Sequence, residues 1–273
     1  MLTVDYDKLH LEPGQLLLDM GAGAGRHAFE SYRRGARVVA LDYDAGELKD
    51  VIGLFAAMAE AGEVPVMVPA VDRAPAKGSS TVGTRMAKPD LRSRSQTSMA
   101  AAINGDGTRL SFPDDTFDRI ICSEVLEHIP DLAAVAGELF RVLKPGGIMA
   151  ATVPTWFPEK VCWALSDQYH APFVAGGHIR IFTEAGLRST LRKAGFQPGA
   201  SHHAHALHSP YWWLKCAVGP TNDANPLVKA YLKLLVWDIA KAPKVTRWTE
   251  KALNPVLGKS LVVYARKPER KPA

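Results

Sequence analysis

Three glycines at alternate positions follow an acidic residue near the start of the chain. The run LLLDMGAGAG at residues 16–25 places Asp19 just before Gly21, Gly23 and Gly25. Glycine is needed where a backbone bends sharply and must approach a ligand without a Cβ in the way. A helix that follows such a loop points its first N–H groups toward it, so the pattern predicts a binding site for a polar ligand.

Asp42 is a second candidate binding residue, about 20 residues beyond the glycine loop. In nucleotide-binding α/β folds, an acid at this position accepts hydrogen bonds from ribose hydroxyls. A solvent-facing acid in a turn is the alternative. The next residue, Tyr43, could cover the face of an adenine ring or could equally pack against the protein.

The elements that position these residues follow from the hydrophobic pattern. Residues 16–20 and 37–41 predict buried strands, and residues 26–34 predict a helix that stops at Gly35. In an open α/β sheet, ligands bind beyond the carboxyl ends of the strands. A dinucleotide fingerprint would need glycine where this chain has Arg26, so a pyrophosphate ligand and a nicotinamide oxidoreductase are disfavoured.

The Asp-x-Gly-x-Gly-x-Gly run resembles the first motif of the class I S-adenosylmethionine (SAM) methyltransferases, whose cofactor has no phosphate. Residues 103–118 and 141–153 resemble two later blocks of that family, so the resemblance covers residues 14–153, the expected SAM-binding core. It is similar to methyltransferase type 11 and to the ubiquinone-biosynthesis O-methyltransferases. The resemblance implies a Rossmann-like α/β fold, with a seven-stranded, mostly parallel sheet, an antiparallel last strand and helices on both faces.

The same resemblance implies SAM as the cofactor and assigns residues to it. Asp42 would hold the ribose, Asp106 would bond the adenine amino group, and the Gly107 backbone would contact the adenine. Ser123 ends the fourth predicted strand at the same edge of the sheet. The expected cofactor-binding residues are Asp19, Gly21, Gly23, Gly25, Asp42, Tyr43, Asp106, Gly107 and Ser123.

Glu124, Glu127 and His128 directly follow the fourth predicted strand and so face the reaction zone. Their offsets predict that they share one side of a helical turn. The cluster resembles the Glu-x-x-Glu-His motif of ubiquinone-biosynthesis O-methyltransferases, where it can hold a divalent cation; two carboxylates and an imidazole suit Mg²⁺ or Mn²⁺. Alternatively, Glu127 and His128 shape the site without a metal, as in many cation-independent members.

Residues 155–258 form the predicted substrate-recognition region. The His178-x-Arg180-x-Phe182 pattern is similar to a segment of quinone and related small-molecule methyltransferases, which would place His178 near the substrate and let Arg180 orient a polar group. A structural histidine is the alternative. Later histidines and aromatic residues could stack on and hydrogen-bond a hydroxylated ligand, or could form an aromatic core. The expected substrate-contacting residues are Trp156, Arg180, His205, Tyr211 and Trp212.

The histidine run HHAHALH at residues 202–208 raises the question of zinc. Zinc needs ligands that converge tetrahedrally, and strand alternation would separate His202 from His203 and His205, so zinc is disfavoured. The stretch 211–219 and the helix predicted after it resemble a set of actinobacterial methyltransferases associated with polymethylated polysaccharides. That narrower resemblance implies a carbohydrate acceptor.

Composition sets the remaining limits on this chain of 273 residues, which we expect to form a single domain. No apolar run approaches the ~20 residues of a membrane span, and the N-terminus lacks a signal pattern, so we expect a cytoplasmic protein. The three cysteines fit reduced thiols. The net charge of +5 is more typical of solvent-exposed surface charge than of a nucleic-acid-binding site. The sequence leaves open whether the protein forms a homodimer. Residues 72–100, rich in Ser, Thr, Pro, Lys and Arg, predict a mobile insertion, either a lid or an insert without catalytic role.

The predicted function is SAM-dependent O-methylation of a hydroxylated small molecule, with a sugar or oligosaccharide as the best acceptor. A quinone, phenol or lipid acceptor is the alternative, and a SAM-binding regulatory protein without turnover is the alternative of another class. A positioned base would accelerate transfer to a hydroxyl by roughly 10²–10⁴-fold. The candidate catalytic residues are Glu127, His128 and His178, and His128 is unavailable as a base if it binds metal. An apolar pocket would favour a quinone or lipid, whereas a cleft lined by histidines and tryptophans would favour a sugar.

Overall fold

The computed structural model describes residues 2–64, 100–170 and 177–270. The insertion predicted at 72–100 lies outside these residues except for Ala100, which begins a strand. Among the described residues, none of the helices combines the length and the apolar character that crossing a bilayer requires.

Strands and helices alternate through the first half of the chain, as the glycine-bounded apolar runs predict. The strands are β1 (Leu16–Met20), β2 (Arg37–Asp42), β3 (Ala100–Asn104), β4 (Phe117–Ser123), β5 (Leu143–Pro154), β6 (Gln197–Ala204) and β7 (Ser260–Arg266). The helices are α1 (Tyr6–Leu9), α2 (Arg26–Arg33), α3 (Ala45–Glu60), α4 (Leu132–Val142), α5 (Trp156–Leu165), α6 (Glu184–Lys193), α7 (His208–Val218), α8 (Pro226–Lys241) and α9 (Lys244–Leu257). The helix predicted over 26–34 is α2, which is one residue shorter.

The described strands form one seven-stranded sheet in the order β3-β2-β1-β4-β5-β7-β6. Strands β1 to β5 pair in parallel, and β7 runs antiparallel to both β5 and β6. The predicted mostly parallel sheet with an antiparallel last strand is therefore confirmed. Because β2 and β4 flank β1 on opposite sides, the chain changes direction across the sheet at the end of β1, which is where open α/β sheets bind ligands.

Alternating side chains of the central strands enter two separate cores. Leu18 and Ile120 belong to the core on one face, together with residues of α4 and α6. Leu17 and Ile121 belong to the core on the other face, together with residues of α1, α2 and α3. Successive strand side chains point to opposite faces, so these strands are buried on both sides. The residues at their carboxyl ends are therefore the ones that can meet a ligand.

Helix α2 carries an ionisable side chain, His27, into the second core. His27 is 3% exposed, and neither ring nitrogen has a hydrogen-bond partner among the described residues. Burial, reinforced by the positive charge of Arg26, lowers the pKa of His27 to about 3. The folded protein therefore holds this ring neutral, whereas the unfolded chain protonates it at about pH 6.5.

We expect acidification to destabilise the protein through His27. Between about pH 6.5 and the folded-state pKa of about 3, the unfolded chain binds a proton that the folded chain does not, so stability falls as the pH falls. At a pH of about 4.5 the unfolding free energy is lower by about 2 to 3 kcal/mol for this reason. His27→Phe should abolish this pH-dependent loss. Urea unfolding of both proteins at neutral and acidic pH measures the difference, and an equal loss in both would contradict the prediction.

Candidate active site

The glycine loop lies over the carboxyl ends of β1 and β2. Gly21, Gly23 and Gly25 have φ angles of +73°, +49° and +78°, a region that glycine adopts without steric cost. A Cβ at Gly21 would overlap Val125, and one at Gly25 would press on Phe29, whereas Gly23 faces open space. Gly23 is therefore the loop glycine beside which a ligand can approach the backbone.

Asp42 ties this loop to the end of β2. Its Oδ2 accepts a hydrogen bond from the Gly23 N–H at 2.7 Å, and its Oδ1 accepts one from the Asp44 N–H at 2.9 Å. The side chain of Asn104 donates to the carbonyls of Asp42 and Tyr43 at 3.0 and 2.8 Å. Asp42 thus faces the loop, and its carboxylate oxygens retain lone pairs for ligand hydroxyls. Tyr43 is 83% exposed, so the packing alternative for this residue is wrong.

The predicted adenine-binding residues and Ser123 also lie at this edge of the sheet. Asp106 follows β3, is exposed, and accepts hydrogen bonds from the Thr108 N–H and hydroxyl, which lower its pKa. Gly107 is buried beside the Met20 sulfur, and a Cβ there would crowd it. Ser123 is 8% exposed at the end of β4. Asp106 is therefore an accessible charged acceptor on the β3 side of the site.

Asp19 lies beneath the glycine loop. It is 1% exposed, and its Oδ2 has no hydrogen-bond partner among the described residues. Burial raises the pKa of Asp19 to about 7, although a hydrogen bond from the Ala28 N–H and the charge of Arg26 oppose the shift. Two features make this edge of the sheet fit a ligand that carries hydrogen-bond donors, as SAM does. They are the unpartnered buried acceptor of Asp19 and the open space at Gly23.

Glu127, His128 and His178 form a cluster beyond β4. Each offers a potential ligand atom, and these atoms all lie within 4.8 Å of one another. Glu127 is fully buried, and neither of its carboxylate oxygens has a hydrogen-bond partner in the described part of the chain. Burial, together with the negative charge of Glu124, raises the pKa of Glu127 well above its usual range. Such a group can hold a proton or, when ionised, a divalent cation.

The predicted helical-turn arrangement of Glu124, Glu127 and His128 is wrong. Glu124 has a φ of +56°, so the backbone bends out of any helical path directly after β4. Its Oε1 instead accepts a hydrogen bond from the Thr152 hydroxyl at 2.8 Å. Among the described residues, the third member of the potential metal-binding group is His178 rather than Glu124.

Glu159 in α5, which was not among the predicted site residues, positions His178. Its carboxylate is 2% exposed and accepts hydrogen bonds from His178 Nδ1 and from Trp163 Nε1, the latter at 2.8 Å. Burial raises the pKa of Glu159, but the hydrogen bond and charge of His178 outweigh it and hold the pKa below its usual range. A carboxylate on Nδ1 orients the ring and leaves Nε2 as its basic atom. The one available signal was an acid within an aromatic helix segment.

A cavity of about 250 Å³ lies next to Glu124, and seven of its nine lining residues have polar side chains. Arg26 Nη2 lies 3.4 Å from the Ser123 hydroxyl, and Lys259 Nζ lies 5.4 Å from the centroid of the Trp212 ring. In the sequence, Arg26 only disfavours a dinucleotide ligand, and no motif marks Lys259 as a site residue. The lining residues are Thr3, Arg26, Glu124, His205, His208, Trp212, Ile239, Lys259 and Ser260.

Two of the predicted substrate-contacting residues, His205 and Trp212, line this cavity, and three do not. Tyr211 packs against Tyr231, with ring centroids 6.0 Å apart. Arg180 donates from Nη2 to the Pro130 carbonyl at 3.0 Å, and Trp156 is 46% exposed against Phe157. These three residues therefore lie outside the wall of this cavity.

The histidine run does not form a shared tetrahedral site. His205 and His208 approach Glu250, with potential ligand atoms within 4.8 Å. Burial lowers the pKa of His205 to about 2 and that of His208 to about 4, so both rings are neutral at pH 7. Arg247 already lies 3.4 Å from the Glu250 carboxylate, and the charge of Lys259 also reaches both histidines. This positive charge opposes a zinc ion there.

Comparison with known proteins places these features in a family. The profile of a family described as "Methyltransferase domain" matches residues 6–199. A sterol 24-C-methyltransferase of Neurospora crassa is 36% identical over 84 residues, which cover 31% of this chain and 20% of the relative. A demethylmenaquinone methyltransferase of Streptomyces avermitilis is 35% identical over 109 residues, which cover 34% of this chain and 47% of the relative. The matches thus span less than half of these two relatives.

Solved structures show the same fold across almost the whole chain. A SAM-dependent methyltransferase of Methanosarcina mazei has a TM-score of 0.54 at 17% identity, covering 98% of this chain and 100% of that one. A putative sarcosine dimethylglycine methyltransferase of Galdieria sulphuraria has a TM-score of 0.55 at 17% identity, covering 96% and 81%. The profile match spans residues 6–199, a range that includes the glycine loop and strands β1 to β5. This match shows that the chain belongs to the methyltransferase-domain family of class I SAM-dependent methyltransferases.

Proposed function

We propose that the protein transfers the methyl group of SAM to a hydroxyl of a polar small molecule, with a sugar or oligosaccharide as the acceptor. The observation that carries this proposal is the lining of the cavity beside Glu124, where hydroxyls, imidazoles and charged groups lie together with the Trp212 ring. Aromatic faces stack on sugar rings, and neutral imidazoles exchange hydrogen bonds with sugar hydroxyls. The lowered pKa values keep His205 and His208 in that neutral form.

The glycine loop and its neighbours are the residues that would hold the cofactor. The open side of Gly23 would admit it, Asp42 would accept hydrogen bonds from its ribose hydroxyls, and Asp106 would accept one from its adenine amino group. When bound, SAM supplies an electrophilic methyl group on its sulfonium. The acceptor hydroxyl must then be oriented and relieved of its proton by groups of the protein.

His178 is the proposed base. Its Nδ1 donates to the Glu159 carboxylate, so Nε2 of the neutral ring carries the lone pair that can take a hydroxyl proton. The Trp163 indole at 2.8 Å and the Tyr169 hydroxyl at 3.5 Å also donate to Glu159 and hold it in place. The orientation of His178 is therefore set by protein contacts before the acceptor arrives.

A divalent cation held by Glu127, His128 and His178 is an alternative to a free base. One carboxylate and two imidazoles suit Mn²⁺ better than Mg²⁺, which prefers oxygen ligands. The bound ion would polarise the acceptor hydroxyl. Glu159 would then serve as the carboxylate that orients a metal-binding histidine.

A quinone, phenol or lipid acceptor is the second candidate function. The relatives from Neurospora crassa and Streptomyces avermitilis are named for a sterol and for demethylmenaquinone, and Ile239 adds an apolar side chain to the cavity wall. The three cysteines, which are free and buried, fit the reducing compartment that we propose for either reaction, the cytoplasm.

Asp42→Ala should weaken SAM binding by about 10- to 100-fold. It removes a charged acceptor for the ribose, and hydrogen bonds to charged groups contribute about 1.5–3 kcal/mol. Calorimetric titration with SAM measures the change. Asp44→Ala is the matched control, since Asp44 caps the neighbouring helix through the Gly46 N–H at 2.7 Å. An unchanged SAM affinity in a folded Asp42→Ala protein would sink the assignment.

His178→Ala should reduce turnover by roughly 10²–10⁴-fold while leaving SAM affinity near normal. Glu159→Gln should also reduce turnover, because an amide no longer stabilises the protonated imidazole. His203→Ala is the control, since His203 belongs neither to the cluster of Glu127, His128 and His178 nor to the wall of the cavity beside Glu124. Single-turnover transfer of labelled methyl measures each step, and a loss of SAM affinity with intact turnover would contradict the role of His178.

Transfer of labelled methyl into matched panels should favour oligosaccharides over quinones and phenols. The reason is that seven of the nine residues lining the cavity have polar side chains, and preferential labelling of apolar acceptors would assign the second candidate function instead. Running the assay after chelation tests the metal: activity that disappears and returns with Mn²⁺ supports the cation, whereas unchanged activity supports the free base. Tight SAM binding without labelling of any cell-extract fraction would overturn the enzymatic proposal.

A further inference from the structure

Helix α9 exposes an apolar stripe on the side away from the protein. The stripe consists of Val245, Trp248, Ala252 and Val256. Spacings of three and four residues place these side chains on one helix face. Val245, Trp248 and Val256 are 65%, 75% and 64% exposed, whereas Thr246 and Glu250 on the opposite face are buried.

Helix α8 exposes apolar side chains on both sides of a narrow buried strip, which contains Val228, Leu235 and Asp238. Its exposed large apolar residues are Leu227, Leu232, Leu234, Val236, Trp237 and Ile239. A helix on the surface of a soluble domain normally turns such residues toward the core. Two consecutive helices that present them to solvent therefore mark an interaction surface, which we call the α8–α9 surface.

The charges of the α8–α9 surface are sorted by sign. Both acids between residues 226 and 257, a range that the structure describes in full, are buried: Asp238 pairs with Arg247, and Glu250 lies 3.4 Å from the same guanidinium. The outer side is therefore apolar and cationic. The exposed lysines are Lys229, Lys233, Lys241, Lys244 and Lys251.

We infer that the α8–α9 surface docks on a membrane that contains anionic lipids, with both helices lying in the plane of the interface. The apolar side chains would enter the boundary between headgroups and acyl chains, and the lysines would extend to the lipid phosphates. Trp237 and Trp248 are of the residue type that concentrates at this depth. The helices have 16 and 14 residues, too short to span a bilayer, so the attachment is to the surface.

Docking in this way brings the candidate active site toward the membrane. Leu232, Val236 and Ile239 share one flank of α8, and Ile239 also lines the cavity beside Glu124. An acceptor anchored in the membrane could therefore reach the cavity along an apolar flank. The docking itself does not depend on the proposed methyl transfer.

A second copy of this chain is the competing partner for the surface. Pairing two α8–α9 surfaces would bring the five lysines of each copy toward those of the other, without an exposed acid on these helices to neutralise them. Like charges brought together in this way oppose association, whereas an anionic lipid surface supplies the complementary charge. Charge therefore favours the membrane.

Co-sedimentation of the full chain with vesicles tests the inference. We expect binding to phosphatidylcholine vesicles that contain phosphatidylglycerol, little binding to phosphatidylcholine alone, and weakening by salt. Lys244→Gln and Lys251→Gln should each weaken binding by about fivefold, and Trp248→Glu combined with Val256→Glu by about tenfold or more. Ile52→Glu, at an apolar residue of α3 that is 55% exposed, should bind as the unchanged chain does.

The outcomes separate docking from the proposed function. Trp248→Glu with Val256→Glu should lose vesicle binding but keep SAM binding and transfer to a soluble acceptor, because neither residue lines the candidate active site. Equal binding to both vesicle types, or no binding by the unchanged chain, would overturn the inference. Light scattering that shows a dimer, converted by this double variant to a monomer, without vesicle binding would assign the surface to a second copy.

Discussion

The hydrogen bond from the Gly23 N–H to the Asp42 carboxylate is the contact on which the candidate active site depends. The loop between β1 and α2 contains three glycines with positive φ, so its own backbone has unusual freedom and its shape must be fixed from outside. Asp42 fixes the middle at 2.7 Å, and the Leu41 carbonyl, accepting from the Gly21 and Ala22 N–H groups at 2.8 and 3.0 Å, fixes the start. Both anchors lie at the end of β2, which leaves the side of Gly23 open.

Features set by neighbours along the chain were predictable from the sequence. The glycine loop and the strand that ends at Asp42 follow from apolar runs punctuated by glycine, and the mostly parallel sheet follows from the resemblance to class I methyltransferases; the structure has them where they were expected. The arrangement around Glu124 was not predictable, because a non-glycine residue with positive φ breaks the spacing rule that was applied to it. The partner that replaces it, His178, comes from a segment far along the chain, which no local spacing reports.

Burial separates acids that look alike in the sequence. Glu127 and Glu159 are both enclosed, yet Glu127 lacks a hydrogen-bond partner among the described residues and its pKa is raised, whereas Glu159 is bonded to His178 and Trp163 and its pKa is lowered. One can therefore retain a proton while the other remains an anionic anchor, a division of roles that depends on environment alone. Since the partners come from separate segments of the chain, the residue types and their spacing in the sequence do not reveal the different roles of Glu127 and Glu159.

The same sorting of environments explains how α8 and α9 can serve two purposes. Their inner side turns Asp238 and Glu250 toward Arg247 and places Glu250 near His205 and His208, whose neutral rings border the cavity. Their outer side carries apolar stripes and lysines. Trp248 and Val256 line neither cavity, whereas Ile239 lines the cavity beside Glu124 and Lys251 lines a second cavity together with Arg247 and Glu250. Because a helix assigns residues to faces by a spacing of three or four, a change at Trp248 or Val256 should leave the inner network intact. The proposed membrane attachment and the proposed chemistry of the cavity can therefore be separated by changes at these two residues.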